Sequence, residues 1–194
     1  MGMKKLYELF TALILLTCAV TALAQTTKPA EPDAARQALD KRVTALEKQL
    51  LAMAEAMPAD KYSFAPTDAE FHGEFRGVRN FAKQLKHLAA FHYVIGAAIL
   101  GEAPPADAAD ERGPEAAKTK AEVMKYVQDS FAYLRQAVAS INEKNLLTPL
   151  KSPFGRGAIT RLELLMGALA HSSNHYGQVV EYLRMNGIIP PSSQ

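Results

Sequence analysis

The chain has 194 residues, enough for one domain with its own core, and 48% of them are hydrophobic. Its formal net charge is only +2 and it contains no long basic run, which argues against a nucleic-acid partner. A single cysteine excludes a disulfide framework within the chain.

The N-terminal segment is typical of an export signal. Lys4 and Lys5 precede an apolar run from Leu9 to Val20, and Ala22-Leu23-Ala24 matches a cleavage site. We therefore predict a signal peptide over residues 1–24, whose removal also removes the cysteine, Cys18. The protein would then be exported, to a periplasm or the extracellular space, with no membrane span left after cleavage. Retention of the segment as an anchor is the alternative, although the apolar run is short for a span.

A polar linker is predicted over residues 25–32, where two prolines interrupt the chain. Residues 33–194 are predicted to form one domain, because residues that favour helices dominate and β-branched runs are scarce. Helix one should run from about Asp33 to Met57 and end at Pro58. Its core stripe recurs at steps of three and four residues: Leu39, Val43, Leu46, Leu50 and Met53.

Helix two is predicted to follow an irregular stretch that extends from Ala59 to Arg79. Asn80 is a good N-cap, the helix should run to Leu100, and Gly101 should end it. One of its two inward stripes consists of Gln84, His87, Phe91, Val94 and Ala98. The polar connection from Glu102 to Ala117 is long for a tight helix hairpin. Such a connection can cross the bundle and leave helices two and three parallel.

Helices three and four both begin with a capping-box pattern, at Thr119 to Glu122 and at Thr160 to Glu163. Helix three should end before Pro149, and the stretch SPFGRGAI that follows should be a loop. Helix four should run to about Asn186, with Gly187 as its C-cap. The expected fold is therefore all-α, a four-helix bundle with up-down-down-up topology.

The strongest functional signal is a pair of histidines in helix four. His171 and His175 are four residues apart, which places their rings about 40° apart on one helix face and about 6 Å apart along the axis. This spacing lets both imidazoles bind one metal ion, and His87 is the best candidate for a third ligand. The alternative is that these are ordinary buried histidines with hydrogen-bond partners.

The remaining polar candidates are weaker. His92 is about 140° around the helix from His87, so both cannot reach one ion, and we expect it to pack in the core or face solvent. His72 falls in a glycine-containing loop and should be exposed. The presence of Glu163 is explained by its role in the capping box of helix four. Gln178 could form a hydrogen bond to a ligand imidazole or to a metal-bound water.

Three stretches of the chain form a recognisable set in this order and spacing. They are MPADKYSFAPT (Met57 to Thr67), VRNFAKQLKHLAAFHY (Val78 to Tyr93) and TRLELLMGALAHSSNHYGQVVEYLRMNGIIPPSS (Thr160 to Ser193). Through them the chain resembles the DinB-like family of metal-binding four-helix bundles. The resemblance implies a metal triad of His87, His171 and His175. It also implies a divalent transition metal, commonly zinc or nickel, while iron and manganese also suit imidazole ligands. The resemblance also suggests a homodimer, because dimers are common in the family.

The resemblance leaves the reaction open. Some family members are thiol-dependent transferases or isomerases, but an exported protein meets little reduced thiol. Three imidazoles with an open fourth position are typical of catalytic zinc sites, so a metal-dependent hydrolase or transferase of an unknown small-molecule substrate is the leading hypothesis. No H-E-x-x-H motif supplies a general base. A non-catalytic, stress-related metal-binding bundle that acts through partners is therefore the alternative.

Overall fold

The computed structural model describes residues 33–155 and 157–193. The predicted signal peptide and linker lie outside the described residues. Four long helices dominate the structure: α1 (Ala34–Ala56), α2 (Phe81–Leu100), α3 (Lys120–Ala139) and α4 (Arg161–Met185). They correspond to the four predicted helices and confirm the all-α fold class.

Contacts between the helices give the topology of the bundle. His92 in α2 lies against Ser130 and Phe131, whereas Gly96, one turn later, faces Tyr133, so α2 and α3 run parallel. In α4 the order is reversed, because Gln84 bonds His175 and His87 lies against His171. α2 and α4 are therefore antiparallel.

The first helix completes the arrangement. Lys120, at the start of α3, bonds the backbone oxygen of Glu55 near the end of α1, and Arg135 further along α3 pairs with Glu47. α1 and α3 are therefore antiparallel, which confirms the predicted up-down-down-up order. The core lies between the four helices, and Phe81 and Phe131 are among its fully buried side chains.

The structure contains the local capping interactions that the sequence predicts at the helix ends. Asn80 Oδ1 accepts the backbone N–H of Lys83 at 2.8 Å, and Gly101 ends α2 with a φ of 77°. Thr119 and Thr160 both form complete capping boxes. At the end of α4 the C-cap is Asn186, and Gly187, expected there, follows in the left-handed conformation with a φ of 70°.

The structure adds detail to three segments. α3 ends at Ala139, before Pro149 as predicted, and the side chain of Asn142 then accepts the backbone N–H groups of Lys144 and Asn145, which holds this segment in turns. The predicted loop contains a short antiparallel hairpin, β1 (Pro149–Lys151) and β2 (Ala158–Thr160). Strands of three residues are too short to show an alternating pattern. The irregular stretch after α1 contains a 3-10 turn (Ala59–Lys61) and a single helical turn (Asp68–Phe71).

The crossover between α2 and α3 is fixed to the bundle. Lys86 Nζ donates to the backbone oxygens of Pro114 and Ala117, at 2.8 and 3.2 Å. Gly113 has a φ of +72°, and a Cβ atom there would lie 3.0 Å from the backbone oxygen of Lys86 and 3.1 Å from the Tyr126 ring. Only glycine fits this approach without strain.

Gly113→Ala is therefore expected to lower the free energy of unfolding by about 1–3 kcal/mol, since it adds a clash with backbone to an unfavourable φ. Gly77→Ala is the matched control, because Gly77 has a φ of +78° but nothing lies within 4 Å of its added Cβ. The control should lose only about 1 kcal/mol, the cost of the conformation. Urea unfolding measures both. Equal losses in the two variants would contradict the close approach.

The helices of the described ranges include none that is both long and apolar enough to span a membrane.

Candidate metal centre

Two antiparallel helices bring the three predicted histidines together. His87 comes from the middle of α2, and His171 and His175 come from successive turns of α4. The ring centroids are separated by 5.2 Å (His87 to His171), 4.8 Å (His87 to His175) and 4.5 Å (His171 to His175). One nitrogen from each ring lies within 4.8 Å of the others, so the group could hold a metal ion. His87 and His175 are buried, and His171 is partly buried.

The crossover fixes which nitrogen of His87 carries the proton. Its Nδ1 lies 2.7 Å from the backbone oxygen of Glu111. A carbonyl oxygen only accepts, so Nδ1 must donate and Nε2 keeps a free lone pair. Glu111 itself has a φ of +59°, an unusual conformation for a residue other than glycine. The backbone therefore accepts local strain where it orients His87.

An amide performs the same task for His175. Its Nδ1 lies 2.8 Å from Oε1 of Gln84, so Nδ1–H donates there and Nε2 is left as the lone-pair nitrogen. Gln84 Nε2 donates to Gln178 Oε1, and Gln178 Nε2 donates to Asn174 Oδ1, both at 2.7 Å. This chain of amides orients Gln84 so that its oxygen faces the imidazole.

The spacing of the nitrogens suits a metal ion. Nε2 of His171 and Nε2 of His87 are 3.2 Å apart. Two nitrogens bound at about 2.0–2.1 Å to one tetrahedral zinc would be separated by about 3.3 Å. His87 already donates through Nδ1, so its Nε2 has a free lone pair. Without a metal, this lone pair can accept an N–H from His171 Nε2. With a metal, both Nε2 lone pairs would point at the ion. The residues present therefore fit a metal ion.

The surroundings of the histidines favour the neutral rings that a metal requires. Burial, together with His171, His87 and Arg79, lowers the pKa of His175 to about 4. The same burial, with His87 and Arg79, lowers the pKa of His171. The ring of Phe91 lies 4.2 Å from that of His171, centroid to centroid, and covers it on one side.

The weaker candidates, Gln178, Glu163 and His72, have different surroundings in the structure. Gln178 is two hydrogen bonds away from the ring of His175, because it bonds Gln84 and Gln84 bonds the ring. The sequence analysis did not assign Gln84 to the site. A signal for Gln84 was present, because it is a polar residue three positions before His87 on the same inward stripe. Glu163 caps α4, and His72 is exposed, as expected.

His92 is a core residue, completely buried, and lies outside the triad. Ser130 Oγ donates to the backbone oxygen of Val127 at 2.7 Å and can only accept from His92 Nδ1, which is 3.3 Å away. His92 Nε2 therefore accepts from Ser172 Oγ at 2.9 Å. The ring thus joins α2, α3 and α4, and its contact with α4 is at Ser172, the residue after His171.

Because Gln84 orients His175, its substitution should affect metal binding more than folding. Gln84→Met removes the acceptor and is expected to weaken metal affinity about 10- to 100-fold, the usual effect of losing such a partner. Gln84→Glu keeps an oxygen at this position and should retain most of the affinity. Competition titration with a chelating dye measures both. Equal affinities for the two variants would show that the hydrogen bond to the ring does not matter.

Comparisons with known proteins agree with the fold. A family model described as the DinB superfamily matches residues 33–179. A crystal structure of a DinB-like protein, YjoA, from Bacillus subtilis is similar, with a TM-score of 0.58 and 19% sequence identity. The similarity covers 80% of this chain and 97% of that one. At this identity it supports the fold alone. No curated protein sequence matches the chain significantly.

Proposed function

We propose that this chain, which belongs to the DinB superfamily, binds one divalent transition-metal ion through His87, His171 and His175 and is exported. The observation that supports this most directly is the orientation of the rings. Hydrogen bonds to Glu111 and Gln84 hold the Nδ1 protons of two histidines away from the centre, which leaves their Nε2 lone pairs for a common ion.

Zinc or nickel is the proposed ion. A site made of neutral imidazoles suits both metals. Iron and manganese are weaker candidates, because divalent ions of these metals generally bind nitrogen ligands less tightly. Three protein ligands leave a further coordination position, where a bound metal would supply Lewis-acid polarisation to a substrate group. We therefore propose a metal-dependent hydrolase or transferase that acts on a small molecule. Gln84 orients His175, and Phe91 shields His171 on one side.

A non-catalytic metal-binding bundle that acts through partners, or as a homodimer, is the second candidate. It is favoured by the composition of the cluster, which within the described ranges contains imidazoles and no carboxylate. A hydrolase commonly needs a positioned acid or base beside the metal. A substrate screen with and without added thiols separates the candidates. Turnover by wild type that is lost in His171→Ala supports the enzyme, and turnover that survives this substitution contradicts it.

Metal analysis of untagged protein tests the metal proposal itself. We expect about one ion per chain after extensive dialysis, measured by elemental analysis against protein concentration. Protein without stoichiometric metal that also binds none at micromolar concentration would overturn the proposal.

Export is supported by the sequence of residues 1–24 and is tested separately. Expression of the full chain in a bacterium with two membranes should place the product in the periplasmic fraction, with Gln25 as the new N-terminus. Recovery of the uncleaved chain in the membrane fraction would favour the anchor, and recovery in the cytosol would contradict export.

A further inference from the structure

A cavity of about 510 Å³ lies on α2 beyond the metal centre. Its walls come from the end of α2 (Val94 and Ala98), from the crossover (Glu102, Pro104 and Ala109) and from the hairpin (Leu150 to Pro153). Its volume falls within the range of pockets that bind small molecules. Val94 follows His87 by seven residues, about 10 Å along the helix, so the cavity is near the histidines but separate from them.

Two stacked aromatic rings connect the hairpin to the histidine cluster. Phe91 lies against His171, and Phe154, at the tip of the hairpin, stacks on Phe91 with a centroid distance of 5.4 Å and an interplanar angle of 12°. Pro153, next to Phe154, already lines the cavity. None of the three histidines lines the cavity, so a molecule bound there would contact Pro153 and the other wall residues rather than the histidines.

Opposite charges, both on exposed side chains, line the cavity without pairing with each other. Glu102 accepts a hydrogen bond from the Tyr133 hydroxyl at 2.9 Å through Oε2, which leaves Oε1 open to another donor. Lys151 forms no ion pair with any residue of the described ranges. The other wall side chains are mostly aliphatic: Val94, Ala98, Pro104, Ala109, Leu150 and Pro153.

We propose that this cavity binds a small apolar zwitterion of the size of a dipeptide. Lys151 would hold its carboxylate and Glu102 its ammonium group, while Val94 and Leu150 contact its aliphatic side chains. Such a ligand can pair with both charges and cover the apolar wall, whereas a singly charged molecule can pair with only one of them and a neutral molecule with neither. Binding itself does not require the metal and so goes beyond the proposed function.

Calorimetry with three matched probes tests the proposal. Leucyl-leucine has both charges, its C-terminal amide lacks the carboxylate, and its N-acetyl form lacks the ammonium group. Wild type should bind the dipeptide at least ten times more tightly than either derivative. Lys151→Met should bind the dipeptide and its amide equally, and Glu102→Gln should bind the dipeptide and its N-acetyl form equally.

Two exposed residues on the α3–β1 connection provide matched controls. Lys144→Met and Glu143→Gln remove the same charges outside the cavity and should leave all three affinities unchanged. Absence of dipeptide binding at millimolar concentration, equal binding of the three probes to wild type, or equal losses in the control variants would overturn the proposal.

The titrations are repeated on protein before and after chelation. Dipeptide binding that survives chelation supports the cavity whatever the metal analysis gives, so the two proposals can fail separately. Dipeptide binding that requires the metal would place the ligand on the histidines and would also overturn the cavity proposal.

Discussion

The substitution His171→Ala is expected to reduce the bound metal from one ion per chain to none at micromolar metal concentration. The substitution leaves two imidazoles, and a site with two protein ligands binds zinc or nickel far more weakly than one with three. We expect at least a 100-fold loss of affinity. His87→Ala should have the same effect, because its Nε2 lies 3.2 Å from that of His171 and its Nδ1 proton is already held by Glu111.

The control for this experiment is His72→Ala. His72 is exposed and has no place in the cluster, so its loss should leave the stoichiometry unchanged. Elemental analysis after dialysis and calorimetric titration of the chelated protein measure the result. Unchanged metal content in both His171→Ala and His87→Ala would mean that the three imidazoles are ordinary buried histidines.

Local sequence signals were sufficient to predict the helices. Asn80, Thr119 and Thr160 each cap a helix through hydrogen bonds to residues three positions away, so their roles are visible in the sequence itself. The spacing of His171 and His175 is equally local, because α-helical geometry alone places them on one face. Parallel packing of α2 and α3 followed from the length of the crossover.

The contacts that orient the three histidines could not be predicted in the same way. His87 is held by the backbone oxygen of Glu111, and any residue type supplies such an oxygen. Its position depends on the path of the crossover, which Lys86 and Gly113 fix through tertiary contacts. Gln84 reaches His175 only because α2 and α4 pack antiparallel at one particular register. The hairpin was missed for a different reason, since its pairing covers only three residues on each side.

His92 is a buried residue of α2 that takes no part in the histidine cluster. The sequence analysis left it between core and surface, and the structure places it between Ser130 and Ser172 with no exposed area. Burial, reinforced by the nearby His171, lowers its pKa to about 3. A ring that must stay neutral links the stability of the bundle to pH.

The metal-free protein is therefore expected to lose stability as the pH falls below about 6.5, the ordinary pKa of histidine in an unfolded chain. Between that pH and the folded pKa of about 3, the unfolded state binds a proton at His92 that the folded state does not. The free energy of unfolding therefore decreases on acidification and is fully restored above pH 6.5. At about 1.4 kcal/mol per pH unit, His92 alone should account for about 2 kcal/mol at pH 5.

His92→Leu isolates this contribution. Leucine has a similar volume and does not titrate, Ser130 keeps its hydrogen bond to Val127, and Ser172 can turn to its own helix backbone. We expect the variant to be less stable than wild type at pH 7.5, because a buried hydrogen bond is lost, but to depend less on pH. Urea unfolding of chelated protein at pH 7.5, 6 and 5 gives both slopes. If wild type and His92→Leu lose the same free energy between pH 7.5 and 5, His92 is not held neutral by its burial, and the acid sensitivity of the bundle arises elsewhere.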